Sequence, residues 1–267
     1  MKLSISNIAW KKEEDEKIVK LLKLYGYKAI EAAPTILFED IENTSSFEIK
    51  EVKEFWKKNG IDIIGFQSLL FGKDDFNIFS NNQKKILDYL KKIFEIGNNL
   101  GIKIVVFGSP KNRLKKNLSF SEAKKKASDF FYKLAELGKD NNIIIALEPN
   151  PKQYGADFIM NTDEALDFIE YVNHKNLRLN LDSGILTLNN EDLEKNIKRS
   201  LPYLSHFHIS EPYLGPVGKK NVNHLKIASI LKKNKYSFYC SIEMKAQSDN
   251  NLLTIENALK FVKEIYG

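Results

Sequence analysis

Short apolar runs alternate with longer amphipathic segments along the whole chain. The apolar runs predict buried strands, and the segments with apolar residues three and four apart predict helices, several of them closed by a glycine. The predicted strands cover residues 3–10, 28–35, 61–70, 102–109, 142–149, 177–184, 204–212 and 237–245. The predicted helices cover residues 12–25, 47–58, 82–100, 121–139, 162–172, 191–201, 223–233 and 252–266.

Eight strands, each followed by a helix, imply a parallel sheet covered by helices. Eight such units without a linker or a shift in composition predict one closed (β/α)8 barrel domain over residues 1–267. A doubly wound open sheet is the alternative. It calls for a glycine-rich nucleotide fingerprint after the first strand, and Ser6-Asn-Ile-Ala-Trp10 has no glycine.

The composition is that of a globular protein, with 43% hydrophobic and 28% charged residues. Lysine carries almost all of the +6 net charge, and the arginines are Arg113, Arg178 and Arg199. Arginine is the side chain that most often recognises phosphates and guanines in nucleic acids. With only three arginines in the chain, we expect no nucleic-acid partner. The lysine runs are interpreted as solvated helix faces.

The single cysteine, Cys240, rules out an internal disulfide and favours a reducing compartment. The first residues lack the pattern of a signal peptide, and no apolar run has the length of a membrane span. We therefore expect a cytoplasmic protein with no membrane partner.

The last four predicted strands each end in a residue that can bind a metal ion. These residues are Glu148, Asp182, His208 and Glu243, about one strand–helix unit apart. In a (β/α)8 barrel such strand ends meet at one mouth. Three carboxylates there would raise one another's pKa unless a cation lay among them. The oxygen-rich set favours one divalent ion, Mn²⁺ first, then Mg²⁺ or Co²⁺. The alternative is that each carboxylate caps a helix or binds a loop amide.

The seventh strand carries two histidines on one face, His206 and His208, with Phe207 and Ile209 on the other. Taken alone, this pattern is also typical of hydrogen-bonded core histidines. The carboxylates on the neighbouring strands favour His208 as the ligand and His206 as a supporting or core residue.

These motifs resemble the xylose isomerase-like barrel superfamily of sugar isomerases, epimerases and endonuclease IV-like proteins. The similar stretches are 147–151, 181–184, 206–211 with 215–218, and 241–244. The resemblance implies that Glu148, Asp182, His208 and Glu243 bind one divalent metal. It also implies that Glu148 and Glu243 transfer protons through a metal-stabilised enediolate.

Two positions depart from the resembled ketose 3-epimerases. Ile185 stands where they have a histidine, and Leu214 where they have an arginine. Both residues normally touch substrate oxygens, so a free ketohexose substrate is in doubt. Ligands for an endonuclease-like three-metal site are missing as well.

Five further residues are candidate substrate contacts: Gln67, Arg113, His206, Glu211 and Lys245. Arg113 would bind a carboxylate or phosphate at the barrel mouth, or be a solvated loop residue. Lys245 would neutralise developing charge or pair with a carboxylate. Glu31 and Trp10 end earlier strands and are candidates for the pocket lining.

The sequence therefore predicts a divalent-metal-dependent isomerase or epimerase of a small sugar or sugar derivative, with a homo-oligomer as one option for its assembly. A lyase resembling the inosose dehydratases is the alternative on the same scaffold. An apurinic endonuclease and a non-catalytic binding protein are further alternatives.

Overall fold

The computed structural model describes residues 1–219 and 221–267 and shows a closed barrel of eight parallel strands in chain order. The strands are β1 (Lys2–Ser6), β2 (Ala29–Ala32), β3 (Asp62–Phe66), β4 (Ile104–Phe107), β5 (Ile144–Leu147), β6 (Leu177–Asp182), β7 (Leu204–Ser210) and β8 (Tyr239–Glu243). Pairing between β1 and β8 closes the ring, with Ser4 opposite Ser241. The predicted (β/α)8 barrel is confirmed.

Helices connect the strands and cover the outside of the barrel. They are α1 (Asp15–Tyr25), α2 (Pro34–Leu37), α3 (Ser46–Lys58), α4 (Gln83–Leu100), α5 (Phe120–Asp140), α6 (Thr162–Val172), α7 (Ser183–Leu188), α8 (Leu193–Ser200), α9 (His224–Lys233) and α10 (Asn251–Tyr266). No helix among the described residues is both long and apolar enough to cross a membrane.

Local sequence signals fix where several helices begin and end. Capping boxes start α3 and α5, where Ser45 pairs with Glu48 and Ser119 pairs with Glu122. Gly26 ends α1 with a φ of 73°, a left-handed conformation that glycine adopts without steric cost.

All eight strands are shorter than the sequence predicts, and the largest differences are at the carboxyl ends of β1 and β3. Strand β1 ends at Ser6, because Asn7–Ala9 form a turn of 3-10 helix, and β3 ends at Phe66. The predicted strands ran on to residues 10 and 70 because apolar residues continue after both. Helix α7 was not predicted as a separate element, and it follows β6 directly.

The barrel interior has an apolar half and a polar half. Ile104, Val106 and Ala146 form a small buried cluster on β4 and β5, with Ile64 and Ile144 packed against it. Buried polar side chains come from the strands on the other side of the ring: Ser4, Glu31, Asn180, His206, His208 and Ser241. Apolar packing thus supports one side of the barrel, and polar contacts occupy the other.

Candidate metal centre

The carboxyl ends of β5, β6, β7 and β8 bring together Glu148, Asp182, His208 and Glu243, hereafter the four-residue cluster. One ligand atom from each lies within 4.8 Å of the others, and all four residues are buried. The strand register places Asp182 beside His208, and Glu243 pairs with Ser210, one inward position beyond His208, so all lie toward the carboxyl end of the barrel. Side chains alternate along a strand, so Glu148 shares the inward face of Ala146, and Asp182 that of Asn180.

Two amides and a glycine fix the Glu148 carboxylate. Asn180 donates from Nδ2 to Oε1 at 2.7 Å, and Asn150 donates from Nδ2 to Oε2 at 2.9 Å. A Cβ atom at Gly108 would lie only 2.7 Å from Oε2, so the backbone of the β4 loop seats the carboxylate closely. Both oxygens are therefore oriented before any ligand binds.

Asp182 lies at the junction of β6 and α7. Its Oδ1 accepts the backbone N–H of Ile185 at 2.6 Å, which caps the first turn of the helix. Its Oδ2 is buried and has no hydrogen-bond partner among the described residues. One oxygen thus holds the side chain in place, and the other is left for a ligand.

His208 lies between carboxylates on both of its ring nitrogens. Nδ1 is 3.0 Å from Glu148 Oε1 and 3.2 Å from Glu243 Oε2. Nε2 is 3.0 Å from Glu31 Oε2 on β2. Nδ1, although close to two carboxylates, makes no hydrogen bond of acceptable geometry within the described chain.

Burial and mutual repulsion perturb the acids of the cluster. Burial, followed by the charges of Glu148 and Glu243, raises the pKa of Asp182 to about 8. Burial also raises the pKa of Glu243. Burial lowers the pKa of the His208 imidazole, but the facing Glu243 and Glu31 charges outweigh it and raise that pKa well above its usual value. Without a bound metal ion, the raised pKa values of Asp182, Glu243 and His208 therefore favour protonation of the cluster.

The donor set fits a divalent cation. Three carboxylates and one imidazole are buried together, and two of their atoms, Asp182 Oδ2 and His208 Nδ1, lack partners in the described residues. A bound cation would satisfy both atoms and remove the carboxylate repulsion. The cluster could hold a metal ion.

A cavity of about 640 Å³ opens onto the four-residue cluster. Its polar lining includes Gln67, Ser109, Asn112, Asn150 and Tyr154. Further polar lining comes from Ser68, Asp74 and Lys111, and the apolar lining residues are Leu70, Phe71, Val106, Pro110, Ile185 and Leu214. The volume is within the range of small-molecule sites.

Of the five predicted substrate contacts, Gln67 lines this cavity and donates from Nε2 to Ser6 Oγ at 2.5 Å. The other four lie outside the cavity lining as described. Glu211 is buried behind it, where Oε1 accepts the N–H of Gly218 and lies 3.4 Å from His224 Nε2. His206 is fully buried below the cluster, with Nε2 3.3 Å from Glu31 Oε1.

Arg113 and Lys245 also take positions away from the substrate space. The Arg113 guanidinium is fully buried and donates from Nη2 to the backbone carbonyl of Glu148 at 2.7 Å, so the solvated-loop alternative is wrong. Burial lowers the pKa of Arg113 to about 10. Lys245 is exposed, and its backbone N–H donates to the Leu214 carbonyl. Arg113 thus supports the main chain at Glu148, whereas only the backbone of Lys245 contacts the cavity wall.

Several residues of the site were missed or misplaced by the sequence reasoning. Asn150 and Asn180 lie within the motifs that carry Glu148 and Asp182, so their spacing from these acids was a usable signal. Tyr154 lines the cavity from a 3-10 turn, and such a turn lies outside the strand pattern from which the site residues were predicted. Glu31 and Trp10 are buried outside the described cavity lining, and Glu31 contacts the histidines instead.

The fold and the site define a (β/α)8 barrel with a candidate metal centre at the carboxyl ends of β5 to β8. A sequence model described as xylose isomerase-like TIM barrel matches residues 19–265. The chain belongs to this family.

Solved structures with the same fold include three enzymes of low sequence identity. The 3-keto-D-glucoside 4-epimerase YcjR from E. coli has a TM-score of 0.81 and 18% identity, covering 99% of both chains. The D-psicose 3-epimerase from Clostridium cellulolyticum H10, solved with D-tagatose, has a TM-score of 0.83 and 17% identity, covering 100% of this chain and 99% of that one. The probable 3-DHS dehydratase AsbF from Bacillus anthracis has a TM-score of 0.78 and 17% identity, covering 98% of each. Comparison with curated protein sequences gave no significant match.

Proposed function

We propose that the protein is a divalent-metal-dependent isomerase or epimerase acting on a small sugar or sugar derivative. The observation that carries the proposal is the four-residue cluster, in which two glutamates from β5 and β8 approach one imidazole nitrogen at the floor of the cavity. The epimerases among the similar structures make this reaction class the first to test.

The four-residue cluster would hold the cation, with Mn²⁺ as the first candidate because oxygen ligands dominate the set. A divalent cation bound there supplies positive charge that stabilises a substrate oxygen when the neighbouring carbon loses its proton. The remaining step is proton transfer, which side chains of the protein carry out.

Glu148 and Glu243 are the proposed proton-transfer pair. Glu148 is oriented by two amide donors on β6 and the β5 loop, which suits a base that must meet a carbon-bound proton in one geometry. Glu243 receives no such amide donor within the described residues, and burial raises its pKa. Glu148 lines the cavity from the end of β5 and Glu243 from the end of β8, so Glu243 is the group that returns a proton to the substrate from a second side.

The side chains of the cavity wall restrict the range of substrates that the site can bind. Ile185 and Leu214 provide no hydrogen-bonding side chain where the resembled ketose epimerases have a histidine and an arginine. Substrate hydroxyls buried against these residues would lose hydrogen bonds to water without replacement. The proposed substrate therefore presents its polar atoms to Gln67, Asn112 and Asn150, and not to Ile185 and Leu214.

Solvent deuterium exchange tests the reaction directly. The Mn²⁺-loaded protein is incubated in D₂O with D-tagatose, D-fructose, D-psicose and a 3-keto-D-glucoside, and deuterium at each sugar carbon is measured by NMR. We expect exchange with at least one sugar, loss of exchange in Glu148→Gln, and loss of turnover in Glu243→Gln, which can no longer return a proton. Exchange that survives in Glu148→Gln, or turnover that survives in Glu243→Gln, would show that the proposed pair is wrong.

Glu191→Gln is the matched control. Glu191 is a partly buried carboxylate that accepts hydrogen bonds from Thr162, Asn189 and Asn196, and it lies outside the site cavity. Its substitution also removes the charge of a hydrogen-bonded carboxylate, so retained exchange and turnover in this variant assign the losses in the site variants to the site itself.

A lyase is the second candidate, and Tyr154 favours it. This half-buried phenol lines the cavity, where its oxygen accepts the N–H of Tyr213 at 2.7 Å. A phenol in this position is able to protonate a departing substrate hydroxyl. Product mass decides between the two reactions, because dehydration removes one water and epimerisation leaves the mass unchanged.

The metal identity, a cytoplasmic location, the oligomeric state and the absence of nucleic-acid and membrane partners stay predictions. Elemental analysis of purified protein tests the first, and incision of abasic DNA with divalent metal tests the endonuclease alternative.

A further inference from the structure

A buried carboxylate below the candidate metal centre has no part in the proposed chemistry. Glu31 on β2 is fully buried and lies outside the described cavity lining. Its two oxygens face two histidines of β7: Oε2 is 3.0 Å from His208 Nε2, and Oε1 is 3.3 Å from His206 Nε2. Strands β2 and β7 are not neighbours in the barrel, so these contacts cross its interior.

We infer that Glu31 is a positioning residue that fixes the tautomer and ring orientation of His208 and thereby sets the affinity of the centre for its cation. The inference rests on the proposed metal-dependent function. It adds a residue on the opposite side of the barrel that acts through His208 and touches neither the substrate nor the cation.

The hydrogen-bonding capacity of the two groups assigns the tautomer. An ionised carboxylate can only accept, so the 3.0 Å contact with Glu31 requires the proton on Nε2 of His208. When a cation binds at Nδ1, the imidazole is neutral and its one N–H is the one on Nε2. Nδ1 faces Glu148 and Glu243 and has no hydrogen-bond partner among the described residues, as required of a ligand nitrogen.

His206 completes the arrangement from the next inward position of β7. The edge-on packing of the two imidazoles, with ring centroids 5.1 Å apart, places one histidine against each Glu31 oxygen. The Glu31 carboxylate is fully buried and cannot rotate toward solvent. Its two oxygens therefore stay directed at the two histidines of β7. Carboxylate partners of metal-binding histidines typically change metal affinity by 10–100-fold when removed.

The same three residues would also be close enough to hold a second ion, since their ligand atoms lie within 4.8 Å of one another. Only the contact with His208 is a hydrogen bond, since Glu31 Oε1 and His206 Nε2 have no hydrogen-bond partner among the described residues. The two arrangements differ in stoichiometry: positioning by Glu31 predicts one ion per chain, and a second site predicts two.

Calorimetric titration with Mn²⁺ tests the inference on the wild type, Glu31→Gln and Glu191→Gln. We expect one ion per chain in the wild type, an affinity lower by about 10–100-fold in Glu31→Gln, and unchanged affinity in Glu191→Gln. Circular dichroism checks that each variant is folded. Equal affinity of folded Glu31→Gln and wild type, or two ions per wild-type chain, would overturn the inference.

A second measurement needs no variant. The chain has four histidines, so their ¹⁵N–¹H correlations can be assigned in the wild type loaded with Mg²⁺, a diamagnetic ion. We expect His208 to carry its proton on Nε2, and a proton on Nδ1 would overturn the inference even if Glu31→Gln did not fold. Failure of the wild type to bind Mn²⁺ or Mg²⁺ would remove the metal-dependent function along with it, whereas binding unaffected by Glu31→Gln removes the positioning role alone.

Discussion

At the scale of single residues, the centre depends on how closely the backbone approaches Glu148. Gly108 leaves room for the carboxylate, and Asn150 and Asn180 hold its two oxygens. Arg113 donates to the Glu148 carbonyl, so Glu148 is also held through its main chain. The position of this one glutamate is therefore determined from several directions.

Gly108→Ala tests that arrangement with one methyl group. The added Cβ would lie 2.7 Å from Glu148 Oε2, so the carboxylate must move by a few tenths of an ångström or more. We expect Mn²⁺ affinity and turnover to fall by about tenfold or more, because small displacements of reacting groups are costly, while the chain stays folded. Titration calorimetry and rate measurements provide the comparison.

Gly215→Ala is the control for this substitution. Gly215 has an ordinary φ of −66°, and a Cβ there meets its nearest atom at 3.4 Å, so little should change. If Gly108→Ala binds Mn²⁺ and turns over substrate as the wild type does, Glu148 is not held as tightly as described.

At the scale of elements, the turn after β7 shapes the cavity wall. Tyr213 and Leu214 both have positive φ, 61° and 56°, which is uncommon for residues other than glycine, asparagine and aspartate. The N–H of Tyr213 donates to the Tyr154 hydroxyl, and the Leu214 carbonyl accepts the N–H of Lys245. These contacts hold Leu214 against the cavity despite the backbone strain.

Leu214→Asn should therefore stabilise the protein while making the wall polar. Asparagine tolerates the left-handed region better than leucine, and the Leu214 side chain is only partly buried. We expect a small rise in melting temperature, measured by calorimetry. The contrasting substitution Leu24→Asn lies at an exposed position inside α1, where lower helix propensity should reduce the melting temperature by a small amount. A clear loss of stability in Leu214→Asn would contradict the proposed strain.

At the scale of the whole molecule, the buried charge of the centre couples stability to pH. Asp182 has a folded-state pKa raised to about 8, above its ordinary value of 3.8. The folded state binds this proton more tightly than the unfolded state does, so the stabilisation is present at low pH and is lost as pH rises toward 8. Bound Mn²⁺ would replace that proton.

Metal-free protein should accordingly lose stability between about pH 4 and pH 8, and Asp182→Asn should lose less over the same range. Urea unfolding in the presence of a chelator measures both slopes. Saturating Mn²⁺ should stabilise the wild type more at pH 8 than at pH 5, because fewer protons must be displaced. If the free energy of unfolding depends on pH equally in the wild type and Asp182→Asn, Asp182 is not the source of that pH dependence.

The sequence was enough to predict the barrel and the four-residue cluster, because both follow from local patterns. Strand periodicity fixes which side chains point inward, and a closed ring brings the ends of β5 to β8 together. The contacts of Glu31 and the burial of Arg113 were not predictable in the same way. Each depends on a partner far along the chain, and neither residue type is usually buried.

The proposed function requires one divalent cation between the ends of β5, β6, β7 and β8. Anomalous scattering from crystals grown with Mn²⁺ would locate that cation. We expect one anomalous peak per chain, in contact with carboxylate oxygens of Glu148, Asp182 and Glu243 and with Nδ1 of His208. A fully occupied peak elsewhere, contact through Nε2 of His208, or no peak in crystals saturated with Mn²⁺ would show that the proposed metal centre is wrong.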